Sequence, residues 1–165
     1  MAEGDVTASG RLVSRSPQET LQAGRVLGRH AEPGDLIALV GPLGAGKTVV
    51  AKGVAEGLEV ASVVNSPTFI LMNEHEGRVR LFHVDAYRLT DPEEAVAAGL
   101  LDAAHAAGVS VIEWADRLDG YLPADRLDVT IEPIGETARA ITWRARGPRH
   151  ARLGAALDDL VRQAA

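Results

Sequence analysis

Apolar residues along the chain fall into short runs separated by turn-forming clusters, and the period within each run sets its expected element. Leu36-Ile37-Ala38-Leu39-Val40 has no polar member, as suits a strand buried on both faces of a parallel sheet. Val109-Ser110-Val111-Ile112, ending at Glu113-Trp114, is another short buried strand. Residues 79–84 alternate instead, which predicts a strand entered through a hairpin turn at Glu76-Gly77-Arg78. Further strands are expected over 11–14, 60–64, 69–72, 127–131 and 138–143, with residues 1–10 as a loose tail.

Helix starts are marked as clearly. Ser16-Pro17-Gln18-Glu19 combines an N-cap hydroxyl, proline in the first turn and glutamate at the third helical position, so a helix is predicted over 17–31. A second should run over 47–58, behind a glycine-rich loop. Asp91-Pro92-Glu93-Glu94 opens an alanine-rich helical stretch punctuated by Gly99 and Gly108. Pro148 opens an amphipathic helix over 148–165, with Leu153, Leu157, Leu160 and Val161 on one face. Strands alternating with helices imply an α/β fold with three layers: a sheet with a parallel centre and added antiparallel strands, and helices on both faces. With 165 residues and no internal repeat or linker, one domain over 1–165 is expected.

Composition narrows the function. Hydrophobic residues make up 46%, but 27 of them are alanine and only six residues are aromatic, so the core should be aliphatic. The net charge of −6 argues against a stand-alone nucleic-acid binder, which needs a basic surface. Residues 139–165 carry six Arg against two Asp, to be read either as a solvated helix face or as a surface for a nucleic acid or an acidic partner. There is no cysteine, and the five histidines lack metal-ligand spacing, so neither a thiol nor a His-based metal site is expected. No run approaches a membrane span and residues 1–10 do not resemble a signal peptide, which makes the cytoplasm the expected compartment.

Gly41-Pro42-Leu43-Gly44-Ala45-Gly46-Lys47-Thr48 fits G-x-x-x-x-G-K-[ST] in full. Given this composition, the pattern would arise by accident in the whole chain with a probability of roughly 0.002. Each residue has a chemical reason. Glycines let backbone N–H groups curl around phosphate oxygens, and the following helix points its positive dipole end at the same anion. Lys47 supplies a point charge for the terminal phosphates and Thr48 a hydroxyl for Mg²⁺. The expected fold is therefore that of a P-loop NTPase.

Such a loop needs a carboxylate and a γ-phosphate sensor to complete it. Asp85 and Glu113 each end a predicted strand, where acidic residues also serve as ordinary turn or cap groups. Beside a phosphate loop, the carboxyl ends of parallel strands are where ligands sit. Thr68, in Ser66-Pro67-Thr68-Phe69, is either a sensor on a switch loop or part of an ordinary Ser-Pro turn. Besides Lys47 the chain has one lysine, Lys52, so no Asn/Thr-Lys-x-Asp guanine loop can be written, which favours ATP.

Together, Gly44-Ala45-Gly46-Lys47-Thr48, Ser66-Pro67-Thr68-Phe69, His83-Val84-Asp85-Ala86-Tyr87-Arg88-Leu89, Asp91-Pro92-Glu93-Glu94 and Ile112-Glu113-Trp114 resemble, in order and spacing, the TsaE (YjeE) family over about 16–134. The resemblance implies a small bacterial ATPase of tRNA threonylcarbamoyladenosine biosynthesis. It would support turnover of the TsaB–TsaD pair by hydrolysing ATP, meeting tRNA only through that complex and no membrane. It further implies that Gly41, Gly44, Ala45, Gly46, Lys47, Thr48 and Val49 hold the nucleotide, with Ser16 and Pro17 bordering the adenine. Thr48 and Glu113 would bind Mg²⁺, and Lys47, Thr68, Asp85 and Glu113 would be the catalytic group. Trp114 would be a sensitive neighbour. Val49 departs from the family pattern, which usually has a second Thr there. Two other classes fit the loop: a P-loop small-molecule kinase, and a binding module gated by nucleotide occupancy.

Overall fold

In the computed structural model, which describes residues 4–62, 72–97, 99, 101 and 107–164, seven strands form one sheet in the order β1-β7-β6-β2-β5-β4-β3. The strands are β1 (Val6–Ser14), β2 (Leu36–Val40), β3 (Met72–His75), β4 (Leu81–Asp85), β5 (Val109–Glu113), β6 (Arg126–Pro133) and β7 (Arg139–Arg146). The central neighbours β6, β2, β5 and β4 run parallel. Antiparallel pairs β6/β7, β7/β1 and β4/β3 flank them. This is the mixed α/β sheet that the element pattern predicts.

Alternation along the central strands divides two cores. Ile37 and Leu39 join Val111, Val129 and Ile131 beneath helices α1 (Pro17–His30), α2 (Lys47–Gly57) and α4 (Ala151–Ala164). Leu36 and Ala38 join Val84 and Ile112 on the other face, under α3 (Pro92–Ala97) and a short 3₁₀ helix at Ala115–Leu118. The uninterrupted apolar character of β2 therefore reflects burial on both sides. Trp143, wholly buried on β7, belongs to the first core.

The helix starts are built as their sequences suggest. Ser16 Oγ accepts from Glu19 N at 3.2 Å, and the Glu19 carboxylate accepts in turn from Arg15 N. At α3 the Asp91 side chain accepts from Glu93 N at 3.0 Å. Helices α1 and α2 then meet backbone to backbone. A Cβ on Gly53 would lie 2.3 Å from Leu21 O, and one on Gly28 would lie 2.2 Å from Val54 O. No larger side chain fits that seam.

Several boundaries differ from the sequence expectation. The first strand starts at Val6, not at residue 11, because β1 pairs along its length with β7 and part of the supposed tail becomes a sheet edge. Residues 60–62 form no strand, since Val60 N already donates to Ala55 O at 2.9 Å behind α2; 63–71 lie outside the described residues, and β3 begins at Met72. The stretch after Asp91 is helical only over Pro92–Ala97 before Gly99 turns with φ +76°. The last helix starts at Ala151, after His150. The His150 imidazole Nε2 accepts the Leu36 N–H at 3.0 Å, so the residues before α4 serve as a strap to β2.

Contacts within the chain account for much of the basic C-terminal segment. Arg152 forks onto Asp35 at 2.8 and 2.7 Å, Arg149 donates to Pro33 O at 2.7 Å, and Arg146 pairs with Asp128 at 2.6 Å. These guanidiniums find their partners within the chain.

Candidate functional site

The carboxyl ends of β2, β4 and β5 point the same way, and the segments leaving these three strands converge there. After β2 the chain enters the loop 41–46 and passes directly into α2. Gly44 has φ +79° and Gly46, the N-cap of α2, has φ +112°. L side chains rarely adopt these angles, so glycine is needed at both. Gly41 is held for a different reason: a Cβ there would meet Ile131 O of β6 at 2.4 Å. Ala45 is fully buried and its N–H turns back to Pro42 O at 3.1 Å.

Lys47 is the first residue of α2, and its side chain folds back over the loop. Nζ donates to Gly41 O at 2.6 Å and to Pro42 O at 2.8 Å. It also sits 3.9 Å from the centroid of the Trp114 ring, a cation–π contact. Burial pushes the lysine pKa down, while Glu113, Asp116 and Asp85 pull it up. Trp114 reaches this position because it leaves β5 in the left-handed region, with φ 59°. Tyr87 packs against the same ring with centroids 4.8 Å apart, and Arg117 lies 5.8 Å from it.

Beside the lysine, Thr48 Oγ1 donates to Glu113 Oε1 at 2.7 Å. The second Glu113 oxygen shares a 2.5 Å hydrogen bond with Nε2 of the wholly buried His83 on β4. Asp85 stands level with Glu113 in the parallel register, and its carboxylate accepts from Tyr87 N at 3.0 Å. A cavity of about 440 Å³ opens here, lined by Gly44, Gly46, Lys47, Thr48, Val49, Asp85, Glu113 and Trp114 among others. Thus most of the residues singled out in the sequence share one cleft. Ser16 caps α1 and Pro17 begins it; Thr20 Cγ2, one turn on, would be 3.6 Å from a Cβ on Gly46, while Ser16 and Pro17 themselves do not line the cavity. Thr68 lies outside the described residues. Lys52 is exposed on α2.

His83 is the site residue that sequence reasoning undervalues. A signal for it exists: a polar residue within the apolar run Leu81-Phe82-His83-Val84 of a central strand needs a buried partner. That partner is Glu113.

Chemically, the cleft offers a cationic lysine and a helix N-terminus on one side and carboxylates on the other. It suits a polyanion carrying a divalent cation. A bare polyphosphate would be repelled by Asp85 and Glu113. Mg²⁺ is held through one or two protein carboxylates and substrate phosphates, and here a Thr hydroxyl stands beside the Glu carboxylate. Among the described residues there is no group of three or more His, Cys, Asp or Glu that could cage a metal ion unaided. The donor set therefore fits a cation whose coordination is completed by the polyanion's own oxygens.

The family model described as threonylcarbamoyl adenosine biosynthesis protein TsaE matches residues 14–141. The tRNA threonylcarbamoyladenosine biosynthesis protein TsaE of Bacillus subtilis is 41% identical over 136 residues, covering 82% of this chain and 85% of the relative. The protein of the same name from Treponema pallidum is 39% identical over 132 residues, covering 80% and 98%. A crystal structure of YdiB from Bacillus subtilis superposes with a TM-score of 0.75 at 33% identity, covering 95% of this chain and 97% of that one.

Proposed function

The chain belongs to the TsaE family of tRNA threonylcarbamoyladenosine biosynthesis proteins, and from that premise we propose that it is the Mg²⁺-dependent ATPase subunit that sustains turnover of the TsaB–TsaD pair in the cytoplasm. The observation carrying this reading is the contact of Thr48 Oγ1 with Glu113 Oε1 at 2.7 Å, directly beside Lys47. It puts a hydroxyl and a carboxylate at the end of a phosphate-sized loop.

Each residue then has a task. The loop 41–46 and the start of α2 receive the phosphates, and Lys47 exchanges its two loop carbonyls for phosphate oxygens. Thr48 and Glu113 would hold Mg²⁺, which would supply positive charge for the transferring phosphoryl group. His83 fixes the Glu113 carboxylate. Asp85, one strand over, accepts a hydrogen bond from the attacking water and orients it. Thr68 is the proposed γ-phosphate sensor and Trp114 closes the cleft over the lysine. tRNA is reached through the partners, as the acidic balance suggests.

The test is ATP hydrolysis by the purified chain with and without TsaB–TsaD. Stimulation by the pair, with free phosphate as the product, is expected. Transfer of the phosphoryl group to a small molecule would instead make the protein a kinase. If an ATP-binding but hydrolysis-deficient variant still supports repeated modification cycles, occupancy alone suffices and the module reading replaces this one.

A further inference from the structure

Arg139 is the first residue of β7 and lies outside every motif of the cleft. Its guanidinium reaches behind the glycine loop. Nε donates to Ala45 O at 2.9 Å, while Nη1 donates to Ala138 O at 2.9 Å and Gly135 O at 3.3 Å. Nη2 lies 3.5 Å from Gly44 O. One planar fork therefore ties the β6–β7 turn to the loop between β2 and α2.

Peptide geometry makes this tie matter to the cleft. In a planar trans peptide the carbonyl of one residue and the N–H of the next point in opposite directions. Holding Ala45 O toward Arg139 turns the Gly46 N–H away from Arg139, and Gly46 lines the cavity together with Lys47. Gly46, at φ +112°, has no side chain to resist rotation of that peptide. A turned peptide would present a carbonyl to an incoming phosphate. Arg139 prevents this with a charged donor, which makes the stronger class of hydrogen bond.

Resting on the nucleotide-binding reading above, we propose that Arg139 is a positioning residue that presets the Gly46 N–H for phosphate. It touches no ligand itself. Its role is to lower the reorganisation needed when phosphate binds.

The test measures ADP binding with Mg²⁺ by calorimetry for the wild type, Arg139→Met and Arg139→Lys, together with the ¹H–¹⁵N resonance of Gly46 and the melting temperature. The Met variant has similar length and no donor, and ADP should bind it about tenfold more weakly. Its Gly46 amide should be displaced before any ligand is added. The Lys variant keeps the charge but cannot fork between Ala45 and Ala138, so it should recover only part of the loss. If the Met variant does not fold, the Lys variant carries the test, with a smaller loss of ADP affinity and a smaller displacement of the Gly46 amide expected. Wild-type affinity in the Met variant with only a lowered melting temperature would reduce Arg139 to a structural tie and overturn the inference. Full recovery in the Lys variant, with the Gly46 amide resonance restored, would also support it, because one charged donor on Ala45 O would then suffice to hold the peptide. Failure of the wild type to bind ADP overturns the nucleotide reading, and this inference with it.

Discussion

Thr48 Oγ1 donates to Glu113 Oε1 at 2.7 Å across 65 positions of chain. The bond joins the first turn of α2 to the end of β5. With His83 on the other carboxylate oxygen, it holds Glu113 in one orientation at the cleft floor. A carboxylate fixed by two partners is prepared for a ligand role.

Glu113→Ala is expected to retain nucleotide binding and lose Mg²⁺-dependent turnover, and Glu113→Gln to do the same with less loss of stability. Titrating Mg²⁺ against both activity and ADP affinity checks this. Normal turnover in either variant would shift the metal role to Asp85, which stands level with Glu113 in the sheet.

Lys47→Ala should weaken ATP binding on the order of a hundredfold, the effect of losing a charge-assisted hydrogen bond of about 2–3 kcal/mol. Calorimetry with ATP and Mg²⁺ measures it. Unchanged affinity would sink the assignment of the loop as a phosphate site.

Stability should fall in mild acid through His150. Burial lowers its pKa, against the opposing pull of Asp125 and Asp35. The lone pair on Nε2 receives the Leu36 N–H, so protonation breaks that bond. The unfolded chain therefore binds the proton more readily than the folded one. This contribution is fully present above the unfolded value of about 6.5 and is lost as pH falls from there through the folded value. Urea midpoints at pH 7.5 and 5.5, roughly a unit either side of that value, test the point. In His150→Gln this share of the pH dependence should vanish; an unchanged profile would assign it elsewhere.

Gly53→Ala should destabilise the protein by about 1–3 kcal/mol despite the better helix propensity of alanine. The new Cβ would stand 2.3 Å from Leu21 O. Thermal unfolding gives the answer, and an unchanged or higher melting temperature would mean that the α1–α2 seam can open.

Features set by neighbouring residues were legible along the chain. The Ser16 cap, the doubly buried β2 and the loop before Lys47 depend on a few consecutive residues, and their sequence bounds agree closely with the structure. The first half of β1 was not legible. Val6-Thr7-Ala8-Ser9-Gly10 alternates only between small residues after Val6, a weak signal, and its strand conformation comes from pairing with β7 at the far end of the chain.

The mixed α/β class, the glycine-rich loop before Lys47 and the strand-end acids Asp85 and Glu113 are readable along the chain, because strand burial, capping and loop composition are encoded locally. Only the tertiary structure decided that Glu113 is shared by Thr48 and His83, that Trp114 covers Lys47, and that Arg139 backs the loop. Those relations join residues far apart in the chain, brought together by the order in which strands assemble and by the close approach of α1 and α2. No local pattern specifies such distances.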